Sequence, residues 1–238
     1  MLSNKRVLVN GCSFSRGPIA WPYCLQKQLN FELVNLALSA AGNKYIHDST
    51  ITELSKRSYD YVFIMWSGLQ RNDIQVEDIE LFSDAVTSRG QVLENDWEDK
   101  IVWPINDQDY VEKNWVFVGL DNPCVKRLKF AEYIKYRSSA NEIQQSLLYM
   151  ITLQAFLKEQ GVPYVFSFFA DYVKDLQTQP ELYAMLDFSN ICTSDNISVI
   201  AKSIKSYDRD GYHPGAEANQ EWANCLIEFI NAKTEQRN

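Results

Sequence analysis

The stretch LVNGCSFSRG, Leu8 to Gly17, passes from an apolar run straight into a loop of small residues carrying a cysteine and two serines. Val-rich sequence closed by a turn-forming glycine reads as a short buried strand, here Lys5 to Asn10, ending at Gly11. Next, WPYCLQKQLN has helical spacing at Trp21, Leu25, Gln28 and Leu29, with Pro22 suited to a first helical turn. FELVNLAL returns as a strand, and AGNKYIHDSTITELSKRS predicts a helix with Ile51 and Leu54 on its inner side. YDYVFIMWSG is the plainest buried strand, closed by Ser67 and Gly68. Strand, helix, strand, helix, strand is the pattern of a parallel sheet covered on both faces. The expected fold class is α/β, a three-layer α/β/α sandwich with a parallel, flavodoxin-like sheet of about five strands.

Between Ile74 and about Arg137 the periodicity dissolves into a stretch rich in Asp, Glu and aromatics, including Trp97, Trp103 and Trp115. Loops this long in compact domains are functional lids or small subdomains. The chain therefore reads as a single domain, 1–238, with an insertion or lid at about 74–137. Regular pattern resumes with a long helix, Asn141 to Gln160, striped by Ile143, Leu147, Met150, Ile151 and Leu157. VPYVFSFFA is the next strand, DYVKDLQTQPELYAMLDF is helical but for Pro180, and AEANQEWANCLIEFINAK is an amphipathic terminal helix.

The chain has 238 residues, enough for one domain with a substantial core. Its net charge of −8 comes without any block of Lys and Arg. Phosphate binding depends on clustered cations, so neither nucleic acid nor an anionic membrane surface is an expected partner. The opening apolar run is broken at Asn10; no signal peptide or transmembrane segment is expected, and the expected location is cytoplasmic. Cysteines 12, 24, 124, 192 and 225 form no C-x-x-C pair and suit free thiols in a reducing compartment. With His47 and His213 the sole histidines, no metal site and no cofactor is expected.

In a parallel sheet, ligands bind where strands run out into loops, and Ser13 falls there. A serine hydroxyl needs a base within hydrogen-bond reach to act as a nucleophile. His213 is the candidate base. Asp210, three residues earlier, can hold its Nδ1 so that Nε2 faces the serine. Pro214 and Gly215 then mark the start of the last helix, so the two ends of the chain meet at one site. Asp208 is a rival partner, with turn geometry favouring Asp210. Ser15 reads as a cap or loop hydrogen-bonder, and Cys12 as a buried hydrophobe, since adjacent residues leaving a strand point opposite ways. His47, beside Asp48, reads as a surface or cap residue, and NIS at Asn196 is a glycosylation sequon in name only for a protein inside the cell.

This set resembles the SGNH/GDSL hydrolase superfamily. GCSF, Gly11 to Phe14, is similar to its G-D-S-[LIT] block, with Cys12 where Asp is usual. NLALSAAGN, Asn35 to Asn43, is similar to the second block, with Ala40 at the usual Gly and Gly42 at the usual Ser. WSGLQRND, Trp66 to Asp73, is similar to the G-x-N-D block, with Gln70 at the Asn position and Arg71 at the Asp, and DGYHP matches the last block without a gap. The resemblance implies an SGNH-type esterase with Ser13 as nucleophile, His213 as general base and Asp210 as its orienting partner. It implies an oxyanion hole made by the amides of Ser13 and Ala40 and the side chain of Gln70, or alternatively Asn72. Asn43 and Arg71 are substrate-binding candidates; Arg71 and Asp73 alternatively form a structural ion pair. The implied substrate is a small acyl ester, an O-acetyl carbohydrate among the options. The alternative is a degenerate SGNH-fold protein that binds a glycan or protein partner without turnover.

Overall fold

The computed structural model describes residues 2–76, 102–103, 114–118, 138–193 and 195–235. Strands β1 (Arg6–Asn10), β2 (Glu32–Asn35) and β3 (Tyr61–Trp66) alternate with helices α1 (Trp21–Leu29) and α2 (Asn43–Lys56). After a separate group of strands, β4 (Asn72–Val76), β5 (Val102–Trp103) and β6 (Asn114–Val118), the chain forms the long helix α3 (Ser139–Glu159) and strand β7 (Tyr164–Phe168). Short helices α4 (Val173–Leu176) and α5 (Pro180–Tyr183) follow, then α6 (Ile197–Ile204) and the terminal α7 (Ala216–Glu235).

The central sheet has the order β2-β1-β3-β7, and every pairing in it is parallel. Beyond β7 a single parallel bridge, Phe166 to Ile191, stands where a fifth strand would pair. Strands β1, β3 and β7 are buried on both faces, as a parallel sheet requires, while the edge strand β2 is part-buried. Val7, Val9, Phe63 and Met65 face a core completed by Trp21 and Leu25 of α1 and Trp222 and Leu226 of α7. Leu8, Val62, Ile64 and Trp66 face the opposite core, closed by Ile46 of α2 and Leu147, Met150 and Leu153 of α3. Each fully buried side chain of this kind stabilises the fold by about 1.5–3 kcal/mol. The result is the α/β/α sandwich the sequence predicts.

Several elements differ in detail from that prediction. The inner face of α2 is Tyr45, Ile46, Thr50 and Glu53, while Ile51 and Leu54 flank it half-buried. Pro180 divides the segment after β7 into α4 and α5, entering the second as its first residue, because a proline has no N–H to give an interior helical bond. Helix α6 escaped the sequence reading. Asn196, noted there as a sequon, is its N-cap and accepts the Val199 N–H at 3.1 Å. The described part of the region read as a lid is an antiparallel sheet of order β4-β6-β5, in which Trp103 pairs in register with Trp115. Trp97 and the rest of that expected insertion lie outside the described residues.

Candidate active site

At the end of β1, Asn10 is wholly buried and replaces the apolar residue a core strand would carry. Its Oδ1 accepts the Gly11 N–H at 2.8 Å, and its Nδ2 lies within donating distance of Ile46 O, Ser49 Oγ and Thr50 Oγ1, at 3.1, 2.8 and 2.9 Å. The strand end is thereby tied to α2 before the chain turns. Cys12 then points into the α1/α7 core with no exposure, the buried position the sequence predicts, though the turn after Asn10 puts it on the side of Val7 and Val9 rather than on the side continued alternation would give it. Ser13 opens a short 3-10 helix, Ser13–Ser15, and remains half-buried. Ser15 is buried and accepts the Trp21 indole N–H at 3.0 Å, which is a structural role.

The other half comes from the loop before α7. Tyr207 and Pro214 form an antiparallel bridge, the Asp208 N–H donates to His213 O at 2.7 Å, and Gly211 takes φ +70 at the tip. Left-handed backbone there suits glycine, which lacks the Cβ that makes it strained. Inside this loop Asp210 Oδ1 accepts the backbone N–H groups of Tyr212 and His213, both at 2.9 Å, while Oδ2 meets His213 Nδ1. Removal from water works against the Asp210 charge. The hydrogen bonds from the His213 ring and from the two backbone N–H groups outweigh it and hold the carboxyl at about 2. Asp208 accepts the Arg209 N–H instead and does not reach the ring. With Nδ1 held, His213 Nε2 is left shut from solvent and without a hydrogen-bond partner among the described residues.

Ser13, Arg16, Ser39, Asp208 and His213 line one cleft of about 200 Å³, with Phe14 packing 5.2 Å from the His213 ring. The junction is held by Asn219, a residue that sequence reasoning missed. It is buried, its Oδ1 accepts the Trp21 N–H at 2.9 Å, and its Nδ2 donates to Pro214 O and Gly215 O at 2.9 and 3.0 Å. It therefore locks the start of α7 to the start of α1. The available signal was a polar residue on the inward stripe of α7, beside Ala218 and Trp222.

Of the two amides expected to face an oxyanion, neither Ser13 N–H nor Ala40 N–H is used in a hydrogen bond among the described residues. Ala40 adopts φ +63, the left-handed conformation that explains why the resembling motif carries Gly there. The loops bearing these amides run side by side: Leu38 N–H donates to Gly11 O at 3.3 Å, and Asn35 Nδ2 donates to Ser15 O at 2.8 Å. Gln70 sits in a turn with its side chain exposed, and Asn72 opens β4.

Two expectations need correction. Asn43 is buried at 2% exposure and engaged internally: it accepts the Ser67 N–H at 2.8 Å and donates to Ser146 Oγ at 3.0 Å. It braces β3 and α3 against α2, a structural engagement that the reading of Asn43 as a substrate-binding candidate did not include. Arg71 and Asp73 do not form an ion pair. Asp73, 6% exposed, instead accepts the N–H groups of Gly42 and Tyr45 at 2.8 and 2.7 Å, capping α2 from another element. Burial raises this carboxyl to about 6, against the two amide hydrogen bonds and the charges of Arg71 and Lys44. Gly42 is required by that contact, since a Cβ there would lie 2.8 Å from both Asp73 oxygens. Arg71 Nη1 donates to Ser67 Oγ at 3.0 Å and to Ala41 O at 3.2 Å. His47 is partly buried on α2, between Asp48 Oδ1 at 2.7 Å and Thr152 Oγ1 at 2.9 Å, well served by structural partners.

No family model matches the sequence, and no curated protein matches it. Solved structures do. The psychrotrophic esterase EstA from Pseudoalteromonas sp. superposes with a TM-score of 0.51 at 10% identity, over 99% of this chain and 100% of that one. TesA superposes at 0.51 with 11% identity, over 95% and 98%. LAE5, an alpha/beta hydrolase enzyme from the metagenome of Lake Arreo, superposes at 0.50 with 11% identity, over 97% of each. The sheet order, the two helical layers and these likenesses define the fold: it is that of the SGNH hydrolases. Among the described residues, no helix is long and apolar enough to cross a membrane.

Proposed function

We propose that this protein is a serine esterase cleaving a small acyl ester through an acyl-enzyme intermediate. One observation carries the reading: the buried, unpartnered Nε2 of His213, its Nδ1 held by Asp210, in the cleft that Ser13 also lines. A buried polar nitrogen without a partner is costly, by about 1–3 kcal/mol. A hydroxyl brought up to it supplies the missing bond. Ser13 Oγ gives its proton to Nε2 as it attacks the ester carbonyl; the imidazolium returns that proton to the departing alkoxide. Water then enters by the same route and attacks the acyl carbonyl, losing a proton to Nε2; the bond from Ser13 Oγ to the acyl carbon breaks, Oγ takes the proton back from the imidazolium, and the acid leaves. The oxyanion is met by the unused amides of Ser13 and Ala40. Asp210 remains ionised throughout and holds the ring in the productive tautomer.

Tyr212, 59% exposed and edge-on to the His213 ring at 5.2 Å, supports a role in holding the alcohol half of the ester. A flat aromatic face of this kind suits the ring of an O-acetylated sugar. The test is labelling with a fluorophosphonate, with the burst of nitrophenol from an aryl acetate measured alongside. Wild type should label and show a burst, and Ser13→Ala and His213→Ala should do neither. Labelling that persists in Ser13→Ala overturns the nucleophile. Exposure of Gln70 to solvent favours a second reading, a protein that binds an acylated ligand without turnover. Absence of label and burst in all three proteins would select it.

A further inference from the structure

We infer that Arg71 binds a carboxylate or phosphate carried by the substrate, so that the preferred ester is an anionic one; the inference rests on the esterase reading for the bond that is cleaved, though not for the binding itself. Arg71 lies in the loop after β3. In the order β2-β1-β3-β7 the chain reverses direction across the sheet between β1 and β3, and ligands of such sheets bind at that point, outside the carboxyl ends of the strands. Asn10 pairs with Ile64 there, so Ser13 and Ser67 each follow the same rung by three residues on neighbouring strands.

The guanidinium is fixed in place by its own contacts. Nη1 donates to Ser67 Oγ and Ala41 O, which uses both of its hydrogens and bridges the β3 loop to the loop holding Ala40. Its Cζ lies 5.9 Å from the centre of the Phe169 ring, which packs at 4.7 Å against Phe14, the residue after Ser13. Among the described residues Nε–H and Nη2 donate no hydrogen bond, and they form the side-on fork whose geometry matches a carboxylate or phosphate oxygen pair. No described carboxylate forms a salt bridge with it. Asp73, the neighbour in sequence, has both oxygens engaged by the Gly42 and Tyr45 amides. A half-buried guanidinium, fixed at Nη1 and joined through Phe169 to the residue after Ser13, is the receptor this inference assigns to an anion.

Two matched pairs of esters locate that anion. The first, 4-nitrophenyl hemisuccinate against 4-nitrophenyl butyrate, puts a carboxylate or a methyl at the end of the acyl half. The second, O-acetyl galacturonate against O-acetyl galactose, places the carboxylate on the alcohol half. Wild type should prefer the anionic member of one pair by at least about tenfold in kcat/KM, as expected for a charged hydrogen-bonded contact. Arg71→Gln should raise KM for that member and bring the ratio to within about threefold of unity; Arg71→Lys, keeping charge but not the fork, should fall between. Near-equal rates within both pairs in wild type, or a preference that survives Arg71→Gln, would overturn the inference. Should wild type cleave none of these esters, the esterase reading fails on its own. Calorimetric binding of O-acetyl galacturonate to Ser13→Ala, compared with the Ser13→Ala, Arg71→Gln double variant, then decides about Arg71: loss of binding with the arginine supports the inference, and unchanged or absent binding overturns it.

Discussion

Two aspartates that accept the same kind of hydrogen bond behave in opposite ways. Asp210 and Asp73 each take two backbone N–H groups. Asp210 stands in an exposed loop, its side chain 49% accessible, and its carboxyl is drawn down to about 2. Asp73 is enclosed between β4 and α2, and its carboxyl is pushed up to about 6. Hydrogen bonds from amides are common to both. The extra bond from the imidazole on one side, and the loss of water on the other, separate them. The two carboxyls hold different things: Asp210 fixes the His213 ring, and Asp73 fixes the start of α2 and the loop before it.

Substitutions that break this division should do so unequally. The largest effect belongs to Ser13→Ala, expected to lower kcat on an aryl acetate by about 10⁵–10⁶, as losing a triad nucleophile does. A residual rate within tenfold of wild type would remove Ser13 from the mechanism. Asp210→Asn should lower kcat by about 10³–10⁴ through the wrong imidazole tautomer, while its thermal midpoint shifts by only a few degrees. Asp73→Ala should invert that pattern. Two N–H groups of the first turn of α2 lose their acceptor, which should destabilise the protein by about 2–3 kcal/mol in urea denaturation.

The pH dependence sharpens the same contrast. Asp73 is raised from 3.8 to about 6, so between those values the folded protein binds its proton more tightly than the unfolded chain does. Stability from this group therefore falls as pH rises through the window, by at most about 1.4 kcal/mol per unit. The stability of wild type relative to Asp73→Asn should decline between pH 4 and pH 6.5 in urea titrations; a constant difference would show that Asp73 is ionised throughout. Asp210 runs the other way. Its contribution is present above its ordinary value of 3.8 and is lost as pH falls toward 2, a smaller effect because solvent screens a half-exposed group. The smallest expected change is Ala40→Gly, which relieves a left-handed residue at φ +63 but frees the unfolded chain, for a net gain below about 1 kcal/mol.

The pairing of Asp210 with His213 was legible in the sequence because it is local. His213 follows Asp210 at the third position, and a single turn brings carboxylate to ring. Cys12 is buried as its apolar character suggests, but the turn after Asn10, not strand alternation, parts it from Ser13. Asn43 and Arg71 were harder, because their partners come from elsewhere: Ser67 and Ser146 for one, Ala41 and Ser67 for the other. The pairing read from the neighbours Arg71 and Asp73 failed for the same reason, since Asp73 finds helix amides thirty residues earlier more favourable than the adjacent cation. Helix α6 spans eight residues, Ile197–Ile204, too short for a clear apolar period, and β5 has two, Val102–Trp103.

By itself the sequence determined the alternation of strands and helices, the serine at the first strand's end and the aspartate-histidine spacing before the last helix. These depend on covalent neighbours and on repeat lengths of two and 3.6 residues. Only the tertiary structure decided which polar groups are satisfied by distant partners, which nitrogen of His213 is left waiting, and which carboxyl is starved of water. Desolvation and long-range hydrogen bonds depend on what packs over a residue, and that is set when β4, α2 and α7 come together around the first strand.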